Sequence, residues 1–265
     1  MRIGSRRTLS TRKFFHVHEA NASAMMRLWK TVIAVAFALS STAAFGHAAF
    51  AQTANLNAPA VCAAPPCTAP IASTQLPNLG QIKAEIKDYY TNGSYAAESQ
   101  AVDAEAQRYL DERVHAVKNP AIVLDVDDTS LLTYDYEVKH DFGFDAVSWD
   151  AAATDGFPPV DATLALAKHA AAEHVAVIFV TGRRTPERDV TRKNLLAAGY
   201  PVDGLYLRPV DDHAPSVVPY KSSARASIEA DGFTILETIG DQWSDLLGGH
   251  AERAFKLPNP MYYLP

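Results

Sequence analysis

The chain has 265 residues, 48% of them hydrophobic and 20% charged, enough for one sizeable core with extras but not for two full domains. Its formal charge of −6 hides an asymmetry: residues 1–51 carry 7 Lys/Arg and 1 Asp/Glu, leaving 17 against 29, or −12, for residues 52–265. An acidic body without a Lys/Arg stripe argues against a nucleic-acid polymer as partner; a single-nucleotide substrate stays open.

Residues 27–51, RLWKTVIAVAFALSSTAAFGHAAFA, follow the three-part layout of a secretory signal peptide: Arg27 and Lys30, an apolar run, then small residues ending at Ala51. The apolar run is short against the about 20 residues a membrane span needs, so cleavage after Ala51, a periplasmic or secreted product and no lasting membrane anchor are expected. Residues 1–24 show no structure-forming periodicity, which favours a start at Met25 or Met26. Residues 52–77 are rich in Ala, Pro, Thr and Asn, the composition of a linker. Cys62 and Cys67 fall within it and either close a small local loop or stay free.

The folded domain is expected over 78–265. LGQIKAEIKDYY and SYAAESQAVDAEAQRYLDERVHAVK carry apolar residues at helical spacing, separated by Asn92-Gly93 with Ser94 as cap, and predict a helical hairpin. From Asn119 strand and helix signals alternate. AIVLDV, VAVIFV, LYL, TILETIG and AFKL read as strands, with helices at VDATLALAKHAAAEH, TPERDVTRKNLLAAGY and KSSARASIEADG and a short one near Gln242. That rhythm predicts an α/β, Rossmann-like parallel sheet with helices on both faces, whose ligands gather beyond the carboxyl ends of the strands.

At those ends stand Asp125 and Asp127, Thr181 and Gly182, Asp241 and Asp245, with Lys221 opening the helix between. Singly, each has a structural explanation as a cap, a dipole complement or a solvated charge. Together they support phosphoryl transfer. Asp125 would attack phosphorus, with Mg²⁺ held by the Asp125 carboxylate, the Asp127 backbone carbonyl and Asp241, and with Asp245 orienting Asp241 or a water. Thr181, the Gly182 N–H and Lys221 would bind the non-bridging oxygens, and Asp127 would serve as acid, then base. This arrangement predicts an acidic optimum.

DVDDT, VTGR, YKSSAR and GDQWSD occur in the order and spacing of the four motifs of haloacid-dehalogenase-like phosphohydrolases. From about Leu79 to Pro265 the chain resembles more narrowly the class B type acid phosphatase family that includes plant vegetative storage proteins, and the tail FKLPNPMYYLP strengthens that match. The resemblance implies a Mg²⁺-dependent phosphomonoesterase. The nucleophile position, lost in some storage members, is Asp here. Glu237-Thr238-Ile239, before the last motif, departs from the smaller lead-in such a family would have.

Between the first strand and the next helix, LLTYDYEVKHDFGFDAVSW forms an aromatic-rich cap insertion. Tyr134, Tyr136, Phe142, Phe144 and Trp149 either stack a nucleobase or phenyl group over the phosphate, as in a nucleoside monophosphate, or pack on one another. Arg183 either contacts substrate or pairs with an acid such as Glu187. His140, His169, His174 and His213 lack ligand spacing. No Arg-His-Gly or Cys-x₅-Arg phosphatase motif is present. Export and the Asp241/Asp245 pair speak against a receiver domain. A storage or phosphate-ligand binding protein on the same fold is the alternative to an enzyme, and the oligomeric state is unconstrained.

Overall fold

The computed structural model describes residues 77–265; the expected signal peptide, the linker up to residue 76 and both cysteines lie outside the described residues. Helices α1 (Leu79–Thr91) and α2 (Ser94–Arg113) form the expected hairpin. Ser94 is not its cap. Gly93 takes the N-cap position at φ 91°, and the Asn92 side chain accepts the Ser94 N–H (2.9 Å), because the chain reverses more tightly than a side chain with a Cβ allows. Residues Tyr95, Ser99, Asp103, Ala106 and Leu110 of α2 form one buried stripe at helical spacing.

Five strands follow: β1 (Pro120–Leu124), β2 (Ala176–Arg184), β3 (Gly204–Arg208), β4 (Thr234–Gly240) and β5 (Arg253–Lys256). All pairings are parallel and the order is β3-β2-β1-β4-β5. On one face, Ile122, Leu124, Phe179 and Ile239 pack with α2 and with α5 (Asp161–Ala172). On the other, Val123, Val180 and Ile235 meet Ala224 and Ile228 of α7 (Val218–Ala230). Burying each such side chain contributes about 1.5–3 kcal/mol, which is why the strands are continuous apolar runs. The helix α6 (Arg188–Ala197) closes the β2–β3 connection and ends before Gly199 at φ 93°.

The chain proceeds outward from β1 to β2 and β3, then crosses back to β4 and β5. The direction therefore reverses at β1, and the crevice beyond β1 and β4 is the topological switch point where such sheets bind ligands. The aromatic insertion forms two short helices, α3 (Tyr134–Lys139) and α4 (Ala146–Asp155). Its base is pinned by Leu132 N–H to Pro158 O (2.8 Å) and Val160 N–H to Ser130 O (2.9 Å), and Asn194 of α6 donates to Ala153 O (2.6 Å). The last helix, α8 (Trp243–Leu246), follows β4. No helix among the described residues is long and apolar enough to cross a membrane.

Candidate active site

The apolar run of β1 carries Asp125 to the sheet edge. Its N–H continues the ladder to Ile239 O (3.0 Å), and its carbonyl accepts the Ser130 hydroxyl (2.6 Å). The chain then turns through Asp128 at φ 54°. The Asp128 carboxylate accepts the Thr133 N–H (2.9 Å), the Thr133 hydroxyl (2.5 Å) and the Tyr262 hydroxyl (2.7 Å). Asp128 thus staples the loop rather than facing a substrate. Burial, reinforced by Asp241, pushes its carboxyl up to about 8.

Asp125, Asp241 and Asp245 are all buried and offer carboxylate oxygens within 4.8 Å of one another. Lys221, in the first turn of α7, donates to Asp125 Oδ1 (2.7 Å) and to Asp245. The close approach of Asp245 requires glycine at 240, where a Cβ would lie 2.2 Å from the Asp245 Cβ. Asp241 is held from three sides: Thr129 Oγ1 donates to Oδ1 (2.9 Å), while Gln242 Nε2 (2.8 Å) and Asn259 Nδ2 (2.7 Å) donate to Oδ2. Three of about four acceptor positions on that carboxylate are thereby used.

Burial and then Asp245 push the Asp125 carboxyl well above its ordinary value, against the pull of Lys221. Burial and Asp245 likewise raise Asp241 to about 6, opposed by Asn259, Gln242 and Thr129. Burial alone would depress the Lys221 ammonium; Asp125 and Asp245 outweigh it and hold it above the ordinary lysine range. With a single ammonium among three buried carboxyls, ionising all three would leave two negative charges uncompensated; burial opposes that, and a divalent cation would offset it.

Asp127 is not a member of this trio. Its carboxylate receives a bidentate pair from Arg183, Nε to Oδ2 (2.9 Å) and Nη2 to Oδ1 (2.6 Å). Arg183 is itself buried, donates to Thr191 Oγ1 (3.2 Å) and lies over the rings of Trp149 (5.5 Å) and Phe157 (5.9 Å). Arg183 therefore pairs with Asp127 rather than with Glu187, whose carboxylate accepts the Arg184 N–H (2.6 Å) and the Trp149 indole N–H (3.4 Å). The reason is that β2 does not stop at Val180. It runs on through Thr181 and Gly182 to Arg184, so Arg183 is aimed by a strand and Thr181 is not a helix cap; its hydroxyl accepts the Arg183 N–H (3.1 Å).

Above these groups lies a cavity of about 560 Å³. Asp125, Asp127, Thr181, Gly182, Arg183, Lys221 and Asp241 reach it from below, and Phe142, Phe144 and Trp149 from the insertion. A side of the mouth is formed by Tyr262, Tyr263 and Leu264 of the tail. The aromatic set divides. Tyr134 stacks on Tyr90 (centroids 4.4 Å, 12°), and Tyr136 is buried beneath Trp149 (5.2 Å) with its hydroxyl on Asp145 O (3.1 Å); neither lines the cavity. No histidine lines it either.

Sequence patterns single out Asp125, Thr181, Gly182, Lys221, Asp241 and Asp245, and the fold brings them together. Asp245 belongs to the carboxylate trio, and its carboxylate accepts hydrogen bonds from Lys221 and from the Gln242 N–H (2.8 Å). Thr129, Gln242 and Asn259 are absent from the sequence-derived site; only their places in DVDDT, GDQWSD and the tail marked them. Glu237 is fully buried in β4, with both carboxyl oxygens unpartnered.

Residues 51–265 match the family model for the HAD superfamily, subfamily IIIB (acid phosphatase). The chain is 36% identical over 186 residues to acid phosphatase 1 of Solanum lycopersicum, covering 68% of this chain and 73% of that protein. It is 36% identical over 187 residues to the stem 28 kDa glycoprotein of Glycine max (67% and 73% covered) and 34% over 196 residues to vegetative storage protein 1 of Arabidopsis thaliana (69% and 70%). The fold is shared with the class C acid phosphatase of Bacillus anthracis, at TM-score 0.58 and 22% identity over 70% of this chain and 86% of that one. The chain belongs to the acid phosphatases of HAD subfamily IIIB and is a phosphomonoesterase built on their parallel α/β sheet.

Proposed function

We propose that this phosphomonoesterase is an exported, Mg²⁺-dependent acid phosphatase that works through an aspartyl-phosphate on Asp125. The supporting observation is that Asp125, with Lys221 2.7 Å from its Oδ1, shares a buried carboxylate trio at the floor of an open cavity. Asp125, Asp241 and Asp245, with the Asp127 backbone carbonyl, would hold Mg²⁺, whose charge offsets the trio and the incoming phosphate.

The chain's own groups then account for both half-reactions. An Asp125 carboxylate oxygen forms a bond to phosphorus as the bond to the ester oxygen breaks, and the departing alcohol takes a proton from Asp127. In the second half, Asp127 takes a proton from the water that attacks phosphorus, the bond to Asp125 breaks, and inorganic phosphate leaves. Lys221, the Thr181 hydroxyl and the Gly182 N–H bind the non-bridging oxygens, where charge redistributes in the transition state. Arg183 fixes the Asp127 carboxylate beside the cavity.

Phe142, Phe144 and Trp149 suit an aryl or nucleoside monophosphate, with the planar group against the insertion. The chain's likeness to vegetative storage proteins favours a second role, storage or phosphate-ligand binding on the same fold. Turnover of p-nitrophenyl phosphate with and without Mg²⁺, by wild type and Asp125→Asn, separates the two. Mg²⁺-dependent turnover lost in the variant is expected. Equal turnover by both removes the nucleophile assignment, and none by either between acidic and neutral pH supports the binding role.

A further inference from the structure

The tail FKLPNPMYYLP is the one sequence motif to which the reaction assigns no task, yet it bonds three of the four loops that build the site. Leu257 N–H donates to Gly240 O (2.9 Å), Leu264 N–H to the Gln242 side chain (3.1 Å), Tyr262 OH to Asp128 (2.7 Å), and the Pro265 carbonyl accepts the Val217 N–H (2.9 Å) just ahead of the helix carrying Lys221. At its centre, Asn259 Nδ2 donates to Asp241 Oδ2 at 2.7 Å. The orientation of that amide is fixed, because its Oδ1 accepts the Met261 N–H (2.8 Å) and Met261 is anchored in the core. Pro258 and Pro260 flank it, limiting Pro258 in φ and Asn259 to extended backbone, so the donor is preorganised rather than drawn in by its acceptor.

We propose that residues 257–265 act as a strap that completes the metal site, with Asn259 the positioning residue that holds the Asp241 carboxylate in its ligating orientation. The proposal rests on the metal reading above. Partners that orient a ligand from outside the coordination sphere typically set metal affinity by about 10–100-fold. An Asn259 amide locked at both ends is such a partner. The Gln242 amide, which shares Asp241 Oδ2 and is held by Leu264 from the same tail, extends the effect to the whole segment.

The test is calorimetric titration of Mg²⁺ into the metal-free full-length protein, comparing wild type with Asn259→Leu, which keeps the side-chain volume, and Asn259→Ala. The expected result is a Kd for Mg²⁺ raised about 10–100-fold in both, a smaller Mg²⁺-induced rise in melting temperature, and recovery of most of kcat at saturating Mg²⁺. A tail that merely supports the fold would lower the melting temperature with and without Mg²⁺ alike and leave Kd unchanged, which overturns the proposal. Should the variants fail to fold, the wild-type protein decides: the Asn259 side-chain amide resonances should shift during Mg²⁺ titration, and unshifted resonances overturn the proposal. Absence of Mg²⁺ binding by wild type defeats the metal reading itself, whereas binding equal in wild type and variants defeats only the strap.

Discussion

Replacing Glu237 by Gln should stabilise the protein at neutral pH and change little in acid. Glu237 sits midway along β4, between β1 and the edge strand β5, fully buried and with neither carboxyl oxygen hydrogen-bonded. Burial, then Asp103, push its carboxyl up to about 8, while Arg253 pulls the other way and Asp111 adds a little. Because the folded-state value lies above the unfolded one, near 4.5, the stability is fully present below pH 4.5. It is lost as pH rises toward 8, since the unfolded chain can ionise and the folded one cannot. At 1.36 kcal/mol per unit, the loss by pH 8 is about 3–5 kcal/mol. Asp103, on α2 above the same strand, contributes in the same direction, pushed up to about 7 by burial against its bond from Thr163.

Glu237→Gln keeps the shape and removes the charge, and any cost of an orphaned amide is the same at every pH. Thermal melting of the metal-free protein at pH 4.5, 6 and 7.5 measures the difference between variant and wild type. The variant should gain progressively with pH, reaching roughly 5–15 °C in Tm at pH 7.5. A difference that stays constant from pH 4.5 to 7.5 would refute the reasoning. The same physics provides a source of acid preference independent of the catalytic groups.

Gly240→Ala should force Asp245 from its place, since the new Cβ would stand 2.2 Å from the Asp245 Cβ; destabilisation of about 1–3 kcal/mol and weakened Mg²⁺ binding are expected in melting and calorimetry. Arg183→Lys cannot reproduce the bidentate hold on Asp127, and kcat should fall roughly 10–100-fold, more for alkyl than for aryl phosphates because the poorer leaving group depends more on the acid; steady-state kinetics on both substrate types checks this. Phe144 lines the cavity and is 74% exposed, so Phe144→Ala should raise KM for p-nitrophenyl phosphate by roughly 2–10-fold while leaving glycerol phosphate unaffected.

The strands and the residues at their ends were legible because a buried parallel strand must be an apolar run, and a run that stops at a carboxylate marks the sheet edge. Asp125 and Asp241 follow from that alone, and Lys221 from its place at the head of α7. The partner of Asp127 was not legible. Arg183 lies 56 residues away, and its direction depends on β2 continuing past Thr181, which no local propensity signals in a stretch of Thr, Gly and Arg. Asn259 was hidden for a related reason: an Asn between two prolines reads as a loop, and only the return of the tail over β4 makes it a donor to Asp241. The cap aromatics show the limit of composition, since five rings in one insertion do not say that Tyr134 and Tyr136 serve packing while Phe142, Phe144 and Trp149 face the cavity.

The central claim is that the phosphoryl group passes through Asp125. Borohydride reduction of the enzyme during turnover, followed by peptide mass spectrometry, reads it directly, because an acyl phosphate is reduced to an alcohol and a free carboxylate is not. Homoserine at position 125, formed only in the presence of substrate, is the expected result. Turnover without a reduced residue at 125, or with reduction at another carboxylate, would contradict it.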